Sequence, residues 1–277
     1  MSGSRKTVNP LDDNDSDTKR LYPVSGPEER DGTLLGGRLR YRQFSAGYRT
    51  GLEPVLMAAA VPALAGESVL EAGCGAGAGL LCLSHRIEDL KGIGLEHDSE
   101  TVGLANRNFS LNHGTATLEA IKARLPDIPR SLRSSAPNAN GRFHHVMANP
   151  PWHNPNGTPS PDSRRRLALH AEEADPNSWI STLTRWVLPG GSLTFALPAA
   201  AVDTACATLL SHGCGSLQLY PLWPKAGREA KLVILRAIHG GRSIFRLRAG
   251  MILHQDDGQF TAVAENVLRQ GQALPEL

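Results

Sequence analysis

Residues 68–79 read SVLEAGCGAGAG: a short apolar run, an acid at Glu71, then glycines at Gly73, Gly75, Gly77 and Gly79. An apolar run that gives way to alternate glycines predicts a buried strand turning sharply into a helix. Glycine there lets a ligand approach the main chain and receive the amide donors of the helix amino terminus. A dinucleotide-binding turn has the spacing GxGxxG, whereas this run is GxGxGxG behind an acid, which better suits S-adenosylmethionine with its amino-acid end against the loop. The plainer alternative is a glycine turn that only packs strand on helix.

Working outward, strand-like and helix-like segments alternate. Strands are expected at Ser68–Gly73, Gly92–Glu96, Ala116–Ile121, His145–Asn149, Ser192–Leu197, Ser216–Leu222 and Lys231–Ala237. Helices are expected at Ala78–His85, Ser99–Asn112, Asn177–Val187 and Ala199–His212, with Gly213 as a stop. The pattern predicts an α/β doubly wound, Rossmann-like sheet of seven strands. The link between the last two strands is too short for a crossover helix, so they should close a mostly parallel sheet as an antiparallel hairpin.

Two further stretches carry chemistry. GIGLEHD places Glu96 at the end of the second strand, at the separation from the glycine loop where an acid accepts from both hydroxyls of a ribose. Asp98, just beyond, is read as a helix cap. FHHVMANPPWH runs the fourth strand into Asn149, Pro150, Pro151 and Trp152 at its carboxyl end, where ligands sit in such sheets. The prolines end the strand and hold Asn149 extended. An adenine N6 amine is a poor nucleophile because its lone pair is delocalised into the ring. Asn149 and the Pro150 carbonyl, accepting from that amine, favour a pyramidal nitrogen. Trp152 offers a face on which a flipped base stacks. A strand ended by prolines beside a buried tryptophan is the structural alternative.

The bulk properties bound the answer. Of 277 residues 40% are hydrophobic and 20% charged, which fits a globular chain with a sizeable core. VLMAAAVPALAG (55–66) is too short for a membrane span, and the amino terminus lacks the apolar segment of a secretory signal, so a cytoplasmic location is expected. Cys74, Cys82, Cys206 and Cys214 form no CxxC pair and the ten histidines no metal-binding spacing, so no metal is expected. His153, beside Trp152, is the histidine placed to contact a substrate. The net charge is only +2, yet residues 221–250 hold seven Lys or Arg against Glu229 alone. Such a stripe is either a solvated face or a phosphate contact. Arg164, Arg165 and Arg166, in the loop after the Asn-Pro-Pro-Trp quartet, are open to the same two readings.

Taken together, these stretches resemble a class I S-adenosylmethionine-dependent methyltransferase with the (N/D)PP(Y/F/W) amine-methylating signature. Within that class they resemble the bacterial valine-tRNA adenine-37 N6-methyltransferase family. The similarity covers about residues 31–273, including GGRLRYRQFSAGYRTGLEP, VLEAGCGAG, ANPPWHNPNGTPSPD, PLWPKAGREAKLVILRA and LHQDDGQFTAVAENVLR. It implies S-adenosyl-L-methionine as cofactor and tRNA as partner. It further implies cofactor contacts at Tyr48, Thr50, Glu53, Gly73, Gly75 and Glu96 and an amine site at Asn149 to Trp152. The glycine run itself adds Glu71 and Gly77 to the cofactor contacts, and the basic stretches offer Arg164, Arg165, Arg166, Lys225 and Arg228 as nucleic-acid contacts. Glu53 stands where relatives usually have Asp. Ala120, Ile121 and Lys122 replace a Gly-Asp pair that contacts the cofactor adenine, and the nearest acid is Asp127.

The chain is thus expected to carry a disordered polar leader at 1–33, a methyltransferase domain at 34–240 and an extension of the same unit at 241–277, with a monomer favoured. The leading expectation is an N6-adenine methyltransferase acting on tRNA. A protein glutamine N5-methyltransferase is the first rival, since a primary amide presents the same planar amine to the same quartet. A DNA adenine methyltransferase and a catalytically silent cofactor- or RNA-binding module are the others.

Overall fold

The computed structural model describes residues 27–47, 49–129, 132–135, 141–151 and 176–277. The glycine-loop strand is β3 (Ser68–Ala72), buried at all five positions. It lies between β4 (Lys91–Glu96) and β6 (Phe143–Ala148), parallel to both, and β5 (Thr117–Lys122) lies beyond β4. On the other flank β7 (Val187–Pro198) pairs in parallel with β6. Next comes β9 (Leu232–His239), antiparallel to both β7 and β8 (Cys214–Trp223), so the expected antiparallel hairpin closes the sheet. Two short pieces, β10 (Arg246–Leu247) and β11 (Met251–Ile252), run parallel to β8 along its outer edge.

Alternation along the central strands sends side chains to two apolar layers. Val69 and Met147 face a cluster built with α1 (Glu53–Ala60), α2 (Ala78–Arg86) and α3 (Ser99–Leu111), joined by Leu268 of the terminal helix, α6 (Ala262–Gln270). Leu70, Val146, Leu193 and Phe195 face the opposite cluster with α4 (Pro176–Leu183) and α5 (Val202–Ser211). Strands buried on both faces read as near-continuous apolar runs, which is why these are conspicuous in the sequence. His145 interrupts β6 at the end of the sheet where the strands begin. There it is satisfied twice, by Ser192 Oγ at 2.7 Å from Nδ1 and Glu67 Oε2 at 2.9 Å from Nε2.

The structure departs from the sequence expectations in several places, the main sheet having nine strands among the described residues where seven are expected and β7 beginning at Val187 instead of Ser192. β1 (Glu29–Leu34) pairs antiparallel with β2 (Leu39–Phe44), so residues 29–33, expected in the leader, form a strand. The stretch 53–60, taken only as an apolar run, is α1. Pro54 fits its first turn, and burial of every residue from Val55 to Ala60 erases the periodicity that marks an amphipathic helix. The helix expected at Asn177–Val187 ends at Leu183, followed by a 3-10 turn at Thr184–Trp186, and Val187 already pairs with Phe143. The helix expected from Ala199 opens with a 3-10 turn at Ala199–Ala201. Asp98 does cap α3, accepting from Thr101 N at 3.0 Å, and Gly213, at φ 76°, follows α5 in the left-handed conformation that stops it.

Candidate active site

Adjacent parallel strands β3 and β6 end in register, Ala72 opposite Ala148. Their connections leave toward opposite flanks of the sheet, since β4 follows β3 and β7 follows β6. The crevice at such a switch point is where open α/β sheets bind ligands. A cavity of about 680 Å³ lies there, within the range of small-molecule sites. Gly73, Cys74, Gly75 and Ala76 form one wall, and Asn149, Pro150 and Pro151 stand next to them. Thr50 and Glu53 close it from the segment leading into α1, and Tyr41, Gln43 and Phe44 of β2 close it from above.

The glycine loop has the backbone that its sequence implies. Gly73, Gly75 and Gly77 take φ values of 67°, 53° and 87°, a region that costs other residues strain. Gly79 serves by its lack of a side chain, because a Cβ there would stand 2.2 Å from Glu71 Oε1. Glu71 therefore tucks beneath the start of α2, where its Oε2 accepts from Leu80 N at 3.0 Å. Burial pushes its pKa up to about 8, the Leu80 hydrogen bond opposes this, and the nearby Glu96 charge adds to it.

Glu96 is buried at the end of β4 and holds three backbone amides. Its Oε1 accepts from His97 N at 2.8 Å and Asp98 N at 3.0 Å, and its Oε2 from Gly75 N at 3.1 Å. His97 Nδ1 also lies 2.8 Å from Oε1, and that contact raises the His97 pKa against the opposing effect of burial. Oε1 is thus crowded, whereas Oε2 carries one donor and keeps capacity for another.

Three buried polar atoms on the cavity wall have no hydrogen-bond partner among the described residues: Gln43 Oε1, Glu53 Oε2 and Trp179 Nε1. Buried polar groups are nearly always paired, so a cavity that leaves two acceptors and a donor open suits a polar ligand. An acid with an unpartnered oxygen suits a cationic group, which fits the ammonium of S-adenosylmethionine. Thr50 is fixed at 2.7 Å from the hydroxyl of Tyr41.

Of the residues singled out in the sequence, Thr50, Glu53, Glu71, Gly73, Gly75, Glu96, Asn149, Pro150 and Pro151 line this one cavity. Gly77 sits just behind the wall as the residue preceding α2. Neither Ala120 to Lys122 nor Asp127 lines the cavity, which is bounded near Glu96 by Asp98, Thr101 and Leu104 of the α3 region. Tyr48, Trp152, His153, Arg164, Arg165 and Arg166 lie outside the described residues. Lys225 and Arg228 occupy the β8–β9 turn, Lys225 donating from Nζ to the Asp256 carbonyl at 3.0 Å. Trp179 and the β2 residues were missed, and Lys231 was counted only in the basic run. Each reaches the cavity by tertiary packing and belongs to no local motif, although the alternation LRYRQF was a strand signal.

The N-6 DNA methylase family model matches residues 54–202, from α1 to the start of α5. No curated protein sequence matches the chain. Among solved structures, a predicted O-methyltransferase, protein Atu636 from Agrobacterium tumefaciens, superposes with a TM-score of 0.62 at 23% identity, covering 80% of this chain and 97% of that one. The T. thermophilus 16S rRNA N2 methyltransferase RsmC, in complex with AdoMet and guanosine, superposes with a TM-score of 0.50 at 17% identity over 76% of this chain and 50% of that one. At these identities the likeness establishes the fold, and the family model, which spans more than half of the chain, establishes the family. The chain belongs to the N-6 DNA methylase family and is an S-adenosylmethionine-dependent methyltransferase.

Proposed function

We propose that the chain methylates the N6 amine of adenine in RNA, with tRNA as its substrate. The observation that carries this reading is the placement of Asn149, Pro150 and Pro151 beside Gly73 and Gly75 in one cavity. A planar amine held by the first group then meets a methyl donor held by the second. The basic run of residues 221–250, whose Lys231 lines the same cavity, favours a polyanionic substrate over a protein amide. RsmC, with the same fold, is a methyltransferase of ribosomal RNA.

When bound, the cofactor supplies an electrophilic methyl group on a sulfonium sulfur. Glu53 would hold its ammonium, Glu96 a ribose hydroxyl, and the amides around Gly73 and Gly75 its carboxylate, and Tyr48 and Thr50 would close that end. Leu104 supplies an apolar wall for the cofactor adenine in place of the acid that relatives use. Asn149 orients the substrate amine through its side-chain carbonyl and Pro150 through its main-chain carbonyl. A neutral amide has no useful basicity, so Asn149 contributes placement and electrostatics and takes no proton. Trp152 stacks the extruded base. Arg164, Arg165, Arg166, Lys225 and Arg228 hold phosphates.

The test is transfer of labelled methyl to total tRNA, DNA and protein in parallel, followed by nucleoside analysis. N6-methyladenosine in tRNA is the expected product. Label only in DNA, or only in protein, overturns the assignment.

A further inference from the structure

We propose that the outer edge of the sheet, from Arg242 to Arg248, is a track that docks an unpaired RNA segment and leads it to the cavity; this rests on the reading of the cavity as an RNA adenine site. The segment reads RSIFRLR, and Ile244, Phe245 and Leu247 are 79%, 51% and 66% exposed. Exposed apolar side chains on a sheet edge are normally avoided, so a run of them interleaved with arginines marks a surface that receives something.

The backbone holds this run in place along β8. Ser243 N donates to Ser216 Oγ at 3.0 Å, Arg246 and Leu247 pair with Gln218 and Leu219, and Arg248 N donates to the Leu219 carbonyl at 2.8 Å. Because β9 is antiparallel to both β7 and β8, β8 runs in the direction of β3 and β6, and its carboxyl end lies at the cavity end of the sheet. The track lies against β8 from Ser216 to Leu219, roughly 10 Å at ~3.3 Å per residue, and β8 continues about 13 Å further to Trp223, its edge there covered by Met251 and Ile252. At its top come Lys225 and Arg228 in the turn, then Lys231 on the cavity wall.

The charge along this path is not neutralised. Glu229 is the only acid from 216 to 255. Among the described residues Arg242, Arg246, Arg248, Lys225, Arg228 and Lys231 have no carboxylate partner within ion-pair distance. Arg248 is instead steered by a neutral group, its Nε and Nη2 donating to Gln218 Oε1 at 3.0 and 2.6 Å. A guanidinium held by an amide keeps its full charge for a phosphate. A chain of phosphates fits the arginines, and unpaired bases fit the apolar faces between them, with Phe245 as a stacking platform. A duplex, whose bases are already stacked, leaves Phe245 without a role.

The experiment uses the full chain with Arg242→Gln/Arg246→Gln and, separately, Phe245→Ala and Phe245→Trp. All three positions changed are exposed, and thermal denaturation checks that the fold is kept. Fluorescence anisotropy measures affinity for a short unpaired adenine-containing RNA and for an RNA duplex over a range of potassium chloride concentrations. Calorimetry measures cofactor affinity. For the unpaired RNA, the arginine pair is expected to lower the slope of log affinity against log salt by about 1.4, from ~0.7 per lost contact on a single strand. Phe245→Ala is expected to weaken it about tenfold and Phe245→Trp to bind like the parent, with cofactor affinity constant throughout.

An unchanged slope and affinity in the variants overturns the track, as does an equal loss for the duplex. Adhesion of the parent to phosphatidylserine vesicles, lost in these variants while RNA binding is kept, also overturns it in favour of a membrane surface. Failure of the underlying reading is distinguishable, because it is seen in the parent protein as absence of methyl transfer to RNA. Failure of the track alone leaves that transfer intact.

Discussion

Asn108 on α3 pairs with Arg42 of β2 as a neighbouring strand residue would: its Oδ1 accepts from Arg42 N at 2.8 Å and its Nδ2 donates to the Arg42 carbonyl at 2.9 Å. The second Nδ2 hydrogen reaches the carbonyl of Ala76 in the glycine loop, also at 2.9 Å. One turn later Asn112 repeats the arrangement on Arg40, with contacts of 2.9 and 2.8 Å. Four residues of helix rise ~6 Å and two residues of strand ~6.6 Å, so a helix with asparagines at i and i+4 imitates the edge of a sheet. The hairpin is thereby clamped with Tyr41, Gln43 and Phe44 over the cavity, and the clamp is tied to the loop that forms the cavity wall.

Replacing Asn108 by leucine, of similar size, removes all three bonds at a side chain that is 0% exposed. Part-buried main-chain groups of Arg42 and Ala76 lose their partners. We expect a loss of ~3 kcal/mol or more in chemical denaturation, and weaker cofactor binding by calorimetry. Asn112→Leu, nearer the surface, should cost ~1 kcal/mol. An Asn108→Leu protein as stable as the parent would show that the hairpin is held by its apolar contacts alone.

Glu96→Ala is predicted to weaken cofactor binding roughly ten- to a hundredfold, from the loss of a charge-assisted acceptor worth ~1.5 to 3 kcal/mol. Because Glu96 also gathers the amides of Gly75, His97 and Asp98, the variant should show faster hydrogen exchange at those three positions even without ligand. RNA affinity should hardly move. Cofactor affinity equal to the parent's would remove Glu96 from the site.

These elements differ in how far they were legible from sequence. The glycine loop, Glu96 and Asn149 each sit at a strand end, where local composition announces both the turn and the chemistry, and β3, β4 and β6 then bring them together by adjacency. The antiparallel ending followed from the shortness of the β8–β9 link. Asn108 and Trp179 carried no such mark. Their partners lie 66 residues away at Arg42 in one case and across the sheet crevice from Gly73 in the other, where a Cβ on Gly73 would stand 3.0 Å from the indole. An asparagine inside a helix reads as a weak helix former until the strand beside it is known. Helix α1 was illegible for the opposite reason, since burial on all sides leaves no periodic pattern to detect.

Glu71 makes stability depend on pH in a definite direction. Its folded pKa, about 8, lies above the ordinary carboxylate value, so the folded state binds more protons than the unfolded state between the two. The stability it contributes is fully present below the ordinary carboxylate range and is lost as pH rises toward about 8. Glu71→Gln, which keeps a neutral acceptor for Leu80 N, should flatten this part of the profile. Melting temperatures of parent and variant across that window check it. Parallel profiles would mean that Glu71 is ionised in the fold at neutral pH.

Asn149→Ala is predicted to abolish most methyl transfer while leaving cofactor and RNA affinity nearly intact. Asn149 acts on the amine at the moment of attack, whereas cofactor and RNA are held mainly by other groups, so its loss falls on kcat more than on binding. Losing one oriented acceptor costs ~2.7 to 4 kcal/mol of barrier, about a hundred- to a thousandfold in rate. The residue follows β6 on the cavity wall with Pro150 fixing the path after it, so the substitution leaves the strand pairing of Ala148 with Phe195 undisturbed. Trp152→Ala should differ by raising KM for RNA as well as lowering kcat, and Trp152→Phe should recover much of both because a π face remains. Single-turnover transfer to tRNA, measured beside calorimetric cofactor affinity, separates the two effects. A folded Asn149→Ala protein that binds cofactor and methylates tRNA within a few-fold of the parent rate would defeat the amine-orienting mechanism.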